Sequence, residues 1–195
     1  MKRGEVEQKQ FKVEVPFEMR LGVIVIKVNI NGIDRDFIVD TGAPNVISKE
    51  LSEELKLTAV TNRKTGDSQG NSSSLSYVEI KKITIGGINF LNTGAAVGDL
   101  KQSTEVGCLR VDGFIGANLM RKAIWQFDYT KQLITITSSM DSLEVPANAD
   151  KINFYSRITG TPLADIEYNG VMDKGVTIDL GSNGDFSSSK RVFDK

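Results

Sequence analysis

Hydrophobic and polar residues alternate over short stretches along most of this chain, and turn residues separate the stretches. Alternation with a period of two is typical of half-buried strands, and Asn-Gly or Gly-Gly pairs between two such stretches are typical of hairpins. Pairs of apolar runs with short turns between them occur at 21–30 and 35–39, at 77–85 and 88–90, and at 124–129 and 133–137. The pattern therefore predicts a mainly β protein built from hairpins.

One short helix is predicted directly after Ser48. The hydroxyl of this residue can accept a hydrogen bond from a free backbone N–H of the first helical turn. Leu51 and Leu55 follow at a spacing of four, which places both on one helical face. We therefore expect an all-β fold with one short helix.

A polar stretch interrupts the alternation before the last part of the chain. It covers residues 141–150 and contains Pro146, so it is typical of a linker. We accordingly expect a lobe at 1–140, a linker at 141–150 and a partial second lobe at 151–195.

The partial second lobe resembles the first one around two aspartates. Asp40 and Asp179 each end an apolar run, and each begins an Asp-x-Gly turn. The turns are Asp40-Thr41-Gly42-Ala43 and Asp179-Leu180-Gly181-Ser182, and an Asn-Gly pair precedes each apolar run. The residues after 150 are therefore predicted to repeat part of the first lobe.

An aspartate at the end of an apolar strand suggests chemistry, because burial disfavours its charged form and raises its pKa. Gly42 would let the backbone pass close to the carboxyl, and the Thr41 hydroxyl could bind a second turn of the same kind. Two such carboxyls in contact would share one proton, so one could activate a water while the other polarises a carbonyl. On the tripeptide alone, an Asx-turn in which Asp40 bonds its own backbone explains the sequence equally well.

The composition excludes several other kinds of site. The chain has no histidine, which excludes Ser-His-Asp and Cys-His catalysis, and Cys108 is its one cysteine. Lys plus Arg number 24 and Asp plus Glu number 25, a balance that argues against a nucleic-acid binder. We expect no metal and no cofactor.

No apolar run is long enough for a membrane span. We expect a soluble protein without a targeting segment in this chain, and its compartment stays open.

The turn at 40–43 resembles the Asp-Thr-Gly-Ala/Ser signature of aspartic peptidases of the retropepsin and pepsin type. Residues 112–120 resemble the hydrophobic-hydrophobic-Gly segment of that family, and residues 125–136 resemble the hairpin that closes its lobe. The resemblance covers residues 12–138 and implies a closed, acid-protease-like β lobe followed by the beginning of a similar one.

The resemblance also implies a function and a set of site residues. The implied function is aspartic endopeptidase, with a polypeptide substrate and with Asp40 and Asp179 as the candidate catalytic pair. The polar stretch at 62–76 lies where the family has its flap, although its composition alone favours a surface loop. The remaining implied site residues are Thr41, Gly42, Ala43 and Gly181 in the catalytic turns, and Ser68, Gln69 and Gly70 in the flap.

The sequence departs from the family pattern at Leu180, where a threonine or serine is expected, and it contains no second flap. Three explanations stay open. The chain is part of a two-lobed protein and lacks the C-terminal part of its second lobe, or it forms a homodimer in which two Asp40 turns meet. Alternatively, it is a catalytically silent relative that serves as a peptide-binding or assembly module. The dyad is accordingly Asp40 with Asp179, or Asp40 with its copy.

Overall fold

A computed structural model describes residues 3–66, 72–102, 104–168 and 170–184. In these ranges the chain consists mainly of strands. The strands are β1 Arg3–Val6, β2 Lys12–Arg20, β3 Val23–Ile30, β4 Ile33–Asp40, β5 Val46–Ser48, β6 Thr61–Gly66, β7 Ser72–Ile85, β8 Ile88–Gly98, β9 Gly113–Gly116, β10 Ile124–Asp128, β11 Leu133–Thr137, β12 Tyr155–Ser156, β13 Pro162–Tyr168 and β14 Val171–Thr177. The helices are α1 Lys49–Glu54, α2 Thr104–Leu109 and α3 Ala117–Met120, with one 3₁₀ turn at Met140–Ser142.

Six strands close into a barrel. Strand β3 pairs with β4, β4 runs parallel to β9, and β9 pairs with β5. Strand β5 runs parallel to β8, β8 pairs with β7, and β7 returns to β3 through Asn29 and Thr84. On one side β2, β11 and β10 extend the sheet, while β12, β13 and β14 form a separate three-stranded sheet.

Strand β3 is apolar on both faces because two hydrophobic cores flank it. Ile24, Ile26 and Val28 of β3 face the main core inside the barrel. The alternate residues Val23 and Val25 face a smaller core on the opposite side. Strand β3 therefore reads as a nearly continuous apolar run rather than as an alternating one. We call the second cluster the small core; its buried members are Val23, Val25, Ile38, Leu109 and Val111.

The all-β fold class is confirmed, and the predicted hairpins are β3–β4, β7–β8 and β10–β11. Helix α1 begins where it was predicted, with the Ser48 hydroxyl accepting from Leu51 N at 3.1 Å. Helices α2 and α3 were not predicted, because six and four residues are too few to show a helical period.

The stretch at 62–76 is a hairpin in its described part, since β6 pairs with β7 from Thr61 opposite Tyr77 to Gly66 opposite Ser72. The surface loop that its composition favoured is therefore wrong for these residues. Backbone pairing, not side-chain composition, makes these residues strands.

A buried hydrogen-bond network joins the barrel behind the end of β4. The Asn45 side chain accepts from Gly116 N at 2.6 Å, and the Asn118 side chain accepts from Asn45 N at 2.7 Å. Asn118 also donates to the carbonyl of Gly94 on β8, at 2.9 Å. The backbone strands pass so closely here that a Cβ on Gly116 would overlap Pro44 and Asn45.

Gly116→Ala is therefore expected to destabilise the chain by about 3 kcal/mol or more, because the added methyl meets backbone that cannot move aside. Urea unfolding followed by circular dichroism measures the effect. Gly107→Ala is the matched control: its Cβ would lie 3.5 Å or more from every neighbour, in ordinary contact. Equal stability of the two variants would contradict the close approach at Gly116.

Candidate active site

Asp40 is the last residue of β4, and the parallel strand β9 fixes its position by pairing Asp40 with Gly116. The chain turns immediately afterwards. The Asp40 Oδ1 atom accepts hydrogen bonds from Gly42 N at 2.7 Å and from Ala43 N at 2.9 Å. The carboxyl thus stabilises its own turn, as an Asx-turn does, and it also faces a second turn.

That second turn is the one at Asp179, so the structure brings the two predicted aspartates together within one chain. Asp179 Oδ1 accepts from Gly181 N at 2.8 Å, which repeats the bond between Asp40 and Gly42. A Cβ on Gly42 would overlap the Asp179 carboxyl, and a Cβ on Gly181 would overlap the Asp40 carboxyl. Each glycine is therefore required by the carboxyl of the opposite turn.

The Thr41 hydroxyl connects the two turns directly. It donates to the carbonyl of Ile178 at 2.6 Å and accepts from Leu180 N at 2.9 Å. The reciprocal side chain, Leu180, has no hydroxyl and packs against the main core of the first lobe instead. One side of the contact is therefore polar and the other apolar.

Further contact comes from the segment that leads into β13. Thr161 is buried, and its hydroxyl lies 3.5 Å from the carbonyl of Gly42, to which it donates. Gly160 has a φ of +102°, and a side chain there would press on the Ala117 carbonyl of α3. The three-stranded sheet is thus anchored to the first lobe beside the candidate site. Sequence reasoning missed Thr161, because nothing in the pattern of residues sets this threonine apart.

The electrostatics of the site are asymmetric. The pKa of Asp40 is raised to about 6 by burial, by repulsion from Asp179 and by a hydrogen bond with Asp179. Backbone hydrogen bonds from Ala43 and Gly42 lower this pKa, but they are outweighed. Asp179 is the more exposed of the two aspartates. Because desolvation favours the neutral form at the buried position, Asp40 holds a proton more tightly than an ordinary aspartate does.

A cavity of about 450 Å³ opens beside Asp40. Its lining includes members of the small core, residues of helix α2 and Leu21 at the tip of the β2–β3 hairpin. Most of its lining side chains are apolar. The cavity is lined by Leu21, Val23, Ile38, Asp40, Thr104, Glu105, Val106, Cys108, Leu109, Phe114, Gly181 and Asn183.

The three predicted flap residues, Ser68, Gln69 and Gly70, lie outside the described residues. Strands β6 and β7 lead towards and away from them. Ala43 lies in the first turn as predicted, with its carbonyl accepting from Ala117 N at 2.9 Å.

Across the described ranges, no group of three His, Cys, Asp or Glu side chains is arranged to hold a metal ion. No helix in the same ranges has the length and apolar character needed to cross a membrane.

Comparisons with known proteins gave one family match and a match to a solved structure. Residues 26–119 match the family described as aspartyl protease, so the predicted resemblance to aspartic peptidases is confirmed for this part of the chain. A crystal structure of a retropepsin-like aspartic protease from Rickettsia conorii is 20% identical, with a TM-score of 0.48; the alignment covers 70% of this chain and 97% of that one. No curated protein matches the chain.

Replacing the Thr41 hydroxyl should loosen the contact between the turns. Thr41→Val keeps the shape of the side chain but leaves the Ile178 carbonyl and the Leu180 N–H without their partner, which costs about 1–3 kcal/mol. Thr41→Ser keeps the hydroxyl and is the control. Urea unfolding of both variants measures the difference, and equal stabilities would contradict the role of the hydroxyl.

The raised pKa of Asp40 predicts a pH-dependent stability. Because the folded-state pKa is about 6 and the ordinary value is 3.8, the folded chain binds the proton more tightly. The resulting stabilisation is full below about pH 4 and is lost as the pH rises through about 6, a loss of up to about 3 kcal/mol. Unfolding free energies measured from pH 4 to pH 7 should show this fall in the wild type. Asp40→Asn should lack it, and parallel curves for the two proteins would contradict the shift.

Proposed function

We propose that this chain, whose residues 26–119 carry the aspartyl protease match, is an aspartic endopeptidase that uses Asp40 and Asp179 as its carboxyl pair. The observation that carries the proposal is the contact between the two carboxyls across their turns. Burial and this contact raise the pKa of Asp40 to about 6. Two carboxyls that share one proton supply an acid and a base at the same point. The reaction needs no other titrating group, which suits a chain without histidine.

The asymmetry of the pair favours one division of roles between the two carboxyls. Asp179, the more exposed carboxylate, takes a proton from the attacking water, whose oxygen bonds to the peptide carbonyl carbon. Asp40 donates its proton to the carbonyl oxygen, which gives a tetrahedral diol. When the C–N bond breaks, the amine takes the proton held by Asp179, and a diol hydroxyl returns its proton to Asp40. The pair is then restored, and the two products are a carboxylic acid and an amine.

The substrate is a polypeptide in an extended conformation. The apolar cavity next to Asp40 accommodates a large hydrophobic side chain beside the bond to be cleaved. Its volume of about 450 Å³ is enough for a leucine, methionine or phenylalanine side chain. The β6–β7 hairpin offers strand edges to which an extended peptide could add.

A second function, peptide binding without cleavage, is favoured by one observation. Leu180 gives the second turn an apolar contact in place of a hydroxyl, so the two turns are not held in the symmetric manner implied by the family pattern. A pair held less rigidly would still bind a peptide in the cavity but would position water poorly.

Cleavage of a mixed peptide library from pH 3 to pH 8 tests the proposal. Asp40→Asn and Asp179→Asn should each lower kcat/KM by about 10²-fold to 10⁴-fold, because each removes one member of the acid–base pair. Wild-type activity should fall as the pH rises above about 6, since Asp40 then loses its proton. Asp141→Asn, on an exposed carboxylate of the 3₁₀ turn, is the control and should leave activity unchanged.

The variants also separate the alternatives. If two Asp40 turns meet in a homodimer, Asp179→Asn keeps its activity, and activity per chain rises with concentration. If the chain only binds peptides, capture survives Asp40→Asn and no protein cleaves the library at any pH.

A further inference from the structure

Helix α2 forms one wall of the cavity beside Asp40. It supplies five of the lining residues: Thr104, Glu105, Val106, Cys108 and Leu109. It has six residues, and only Leu109 among them is buried. A helix this short has no stability of its own, so its position must be set by contacts with the rest of the protein. The shape of the cavity therefore depends on what holds α2.

Apolar contacts hold the C-terminal end of the helix. Leu109 and, shortly after it, Val111 enter the small core beside Ile38. Between them Arg110 has a φ of +53°, which turns the chain sharply towards β9. The backbone N–H of Asp112 then donates to the Asp36 carbonyl on β4 at 2.8 Å.

One side chain adds a polar contact to this apolar one. The Arg20 Nη1 atom, at the end of β2, donates to the carbonyl of Leu109 at 3.4 Å. Carbonyls in the last turn of a helix have no partner within the helix, and a cation at this end is favoured by the helix dipole. Arg20 does not line the cavity itself. It therefore acts on the cavity through α2.

Arg20 is held in turn by a charge cluster outside the cavity. Its guanidinium forms ion pairs with Asp36 at 2.9 Å and with Glu18 at 2.7 Å. Asp36 also pairs with Lys27 at 2.6 Å. Burial would raise the pKa of Asp36, but hydrogen bonds from Lys27 and Arg20 outweigh it and lower that pKa. Asp36 thus has two cationic partners, and of these Arg20 is the one that contacts the Leu109 carbonyl.

We propose that Arg20 is a positioning residue that fixes α2 as a wall of the cavity and thereby limits which substrate side chains fit. The effect on substrate choice rests on the proposed function, because it requires that the chain bind peptides. The effect of Arg20 on the position of α2 does not rest on that function. Loss of the Arg20 contact should let α2 move away from the small core. The cavity would then discriminate less sharply between side chains of different size.

Arg20→Met and Lys27→Met form a matched pair for the test. Each removes one ion pair from Asp36. Arg20→Met also removes the ion pair with Glu18, and it alone removes the hydrogen bond to α2. Hydrogen exchange followed by mass spectrometry measures the opening of residues 104–112 without any need for activity. In Arg20→Met these amides should exchange about threefold to tenfold faster than in the wild type, as expected for one lost hydrogen bond. In Lys27→Met they should exchange at the wild-type rate.

Selectivity is measured with peptides that differ only at the residue beside the cleaved bond, which is alanine, leucine, phenylalanine or tryptophan. Arg20→Met should reduce the spread of kcat/KM across the series by about threefold or more, mainly through KM, while Lys27→Met keeps the wild-type spread. The same peptides are titrated against Asp40→Asn with and without Arg20→Met. This arm measures the selectivity of the cavity as affinity, so it gives an answer even if the wild type cleaves nothing.

Faster exchange and a narrowed spread in Arg20→Met alone support the proposal. Equal changes in the two variants would show that the charge of Asp36, not the contact with α2, is what matters. The proposal is overturned if Arg20→Met leaves the amide exchange of residues 104–112 unchanged, or if it leaves the spread of kcat/KM or affinity across the peptides unchanged. Either result counts against it even where the wild type proves to be an active peptidase.

Discussion

The whole candidate site depends on the close contact between two Asp-x-Gly turns that lie far apart in the chain. Nothing in either turn alone brings a second carboxyl to Asp40; the Thr41 hydroxyl does so, by bonding both neighbours of Asp179. The contact is possible only because the facing positions are glycines, whose missing Cβ atoms leave room for the carboxyls. Burial and, after it, repulsion by the Asp179 charge then raise the pKa of Asp40 and favour its protonated form.

The rest of the structure keeps this contact in place. Parallel pairing with β9 fixes the end of β4, and the Asn45 and Asn118 side chains lock β9 to the neighbouring strands. From the other side, Thr161 and Leu180 attach the three-stranded sheet to the first lobe. The barrel thus positions one carboxyl, and a smaller sheet, attached at a few points, positions the other. The first lobe is well packed around its aspartate, while the second relies on contacts with the first.

Sequence reasoning found the parts of the fold that repeat at short range. Hairpins and the helix at Ser48 follow from alternation, turn residues and a capping hydroxyl, all of which act between near neighbours. Both aspartates were predicted because each ends an apolar run and begins the same turn. Three features come from tertiary packing between residues distant in sequence. They are the hydrogen bonds of Thr41 that Leu180 does not reciprocate, the burial of Thr161, and the cavity beside α2. No local pattern encodes such contacts, and a six-residue helix is too short to show a helical period in the sequence.

The pairing of the two turns also makes the pKa of Asp40 depend on whether the three-stranded sheet contacts the barrel. Burial and the neighbouring Asp179 both strengthen its hold on a proton. Any event that separates the three-stranded sheet from the barrel weakens both effects at once, so the proton is released at a pH between the ordinary 3.8 and about 6. Acidity and assembly are therefore linked in both directions: protons favour the joined lobes, and the joined lobes retain a proton. A more acidic compartment would hold this molecule together more firmly, without any added bond between its two parts.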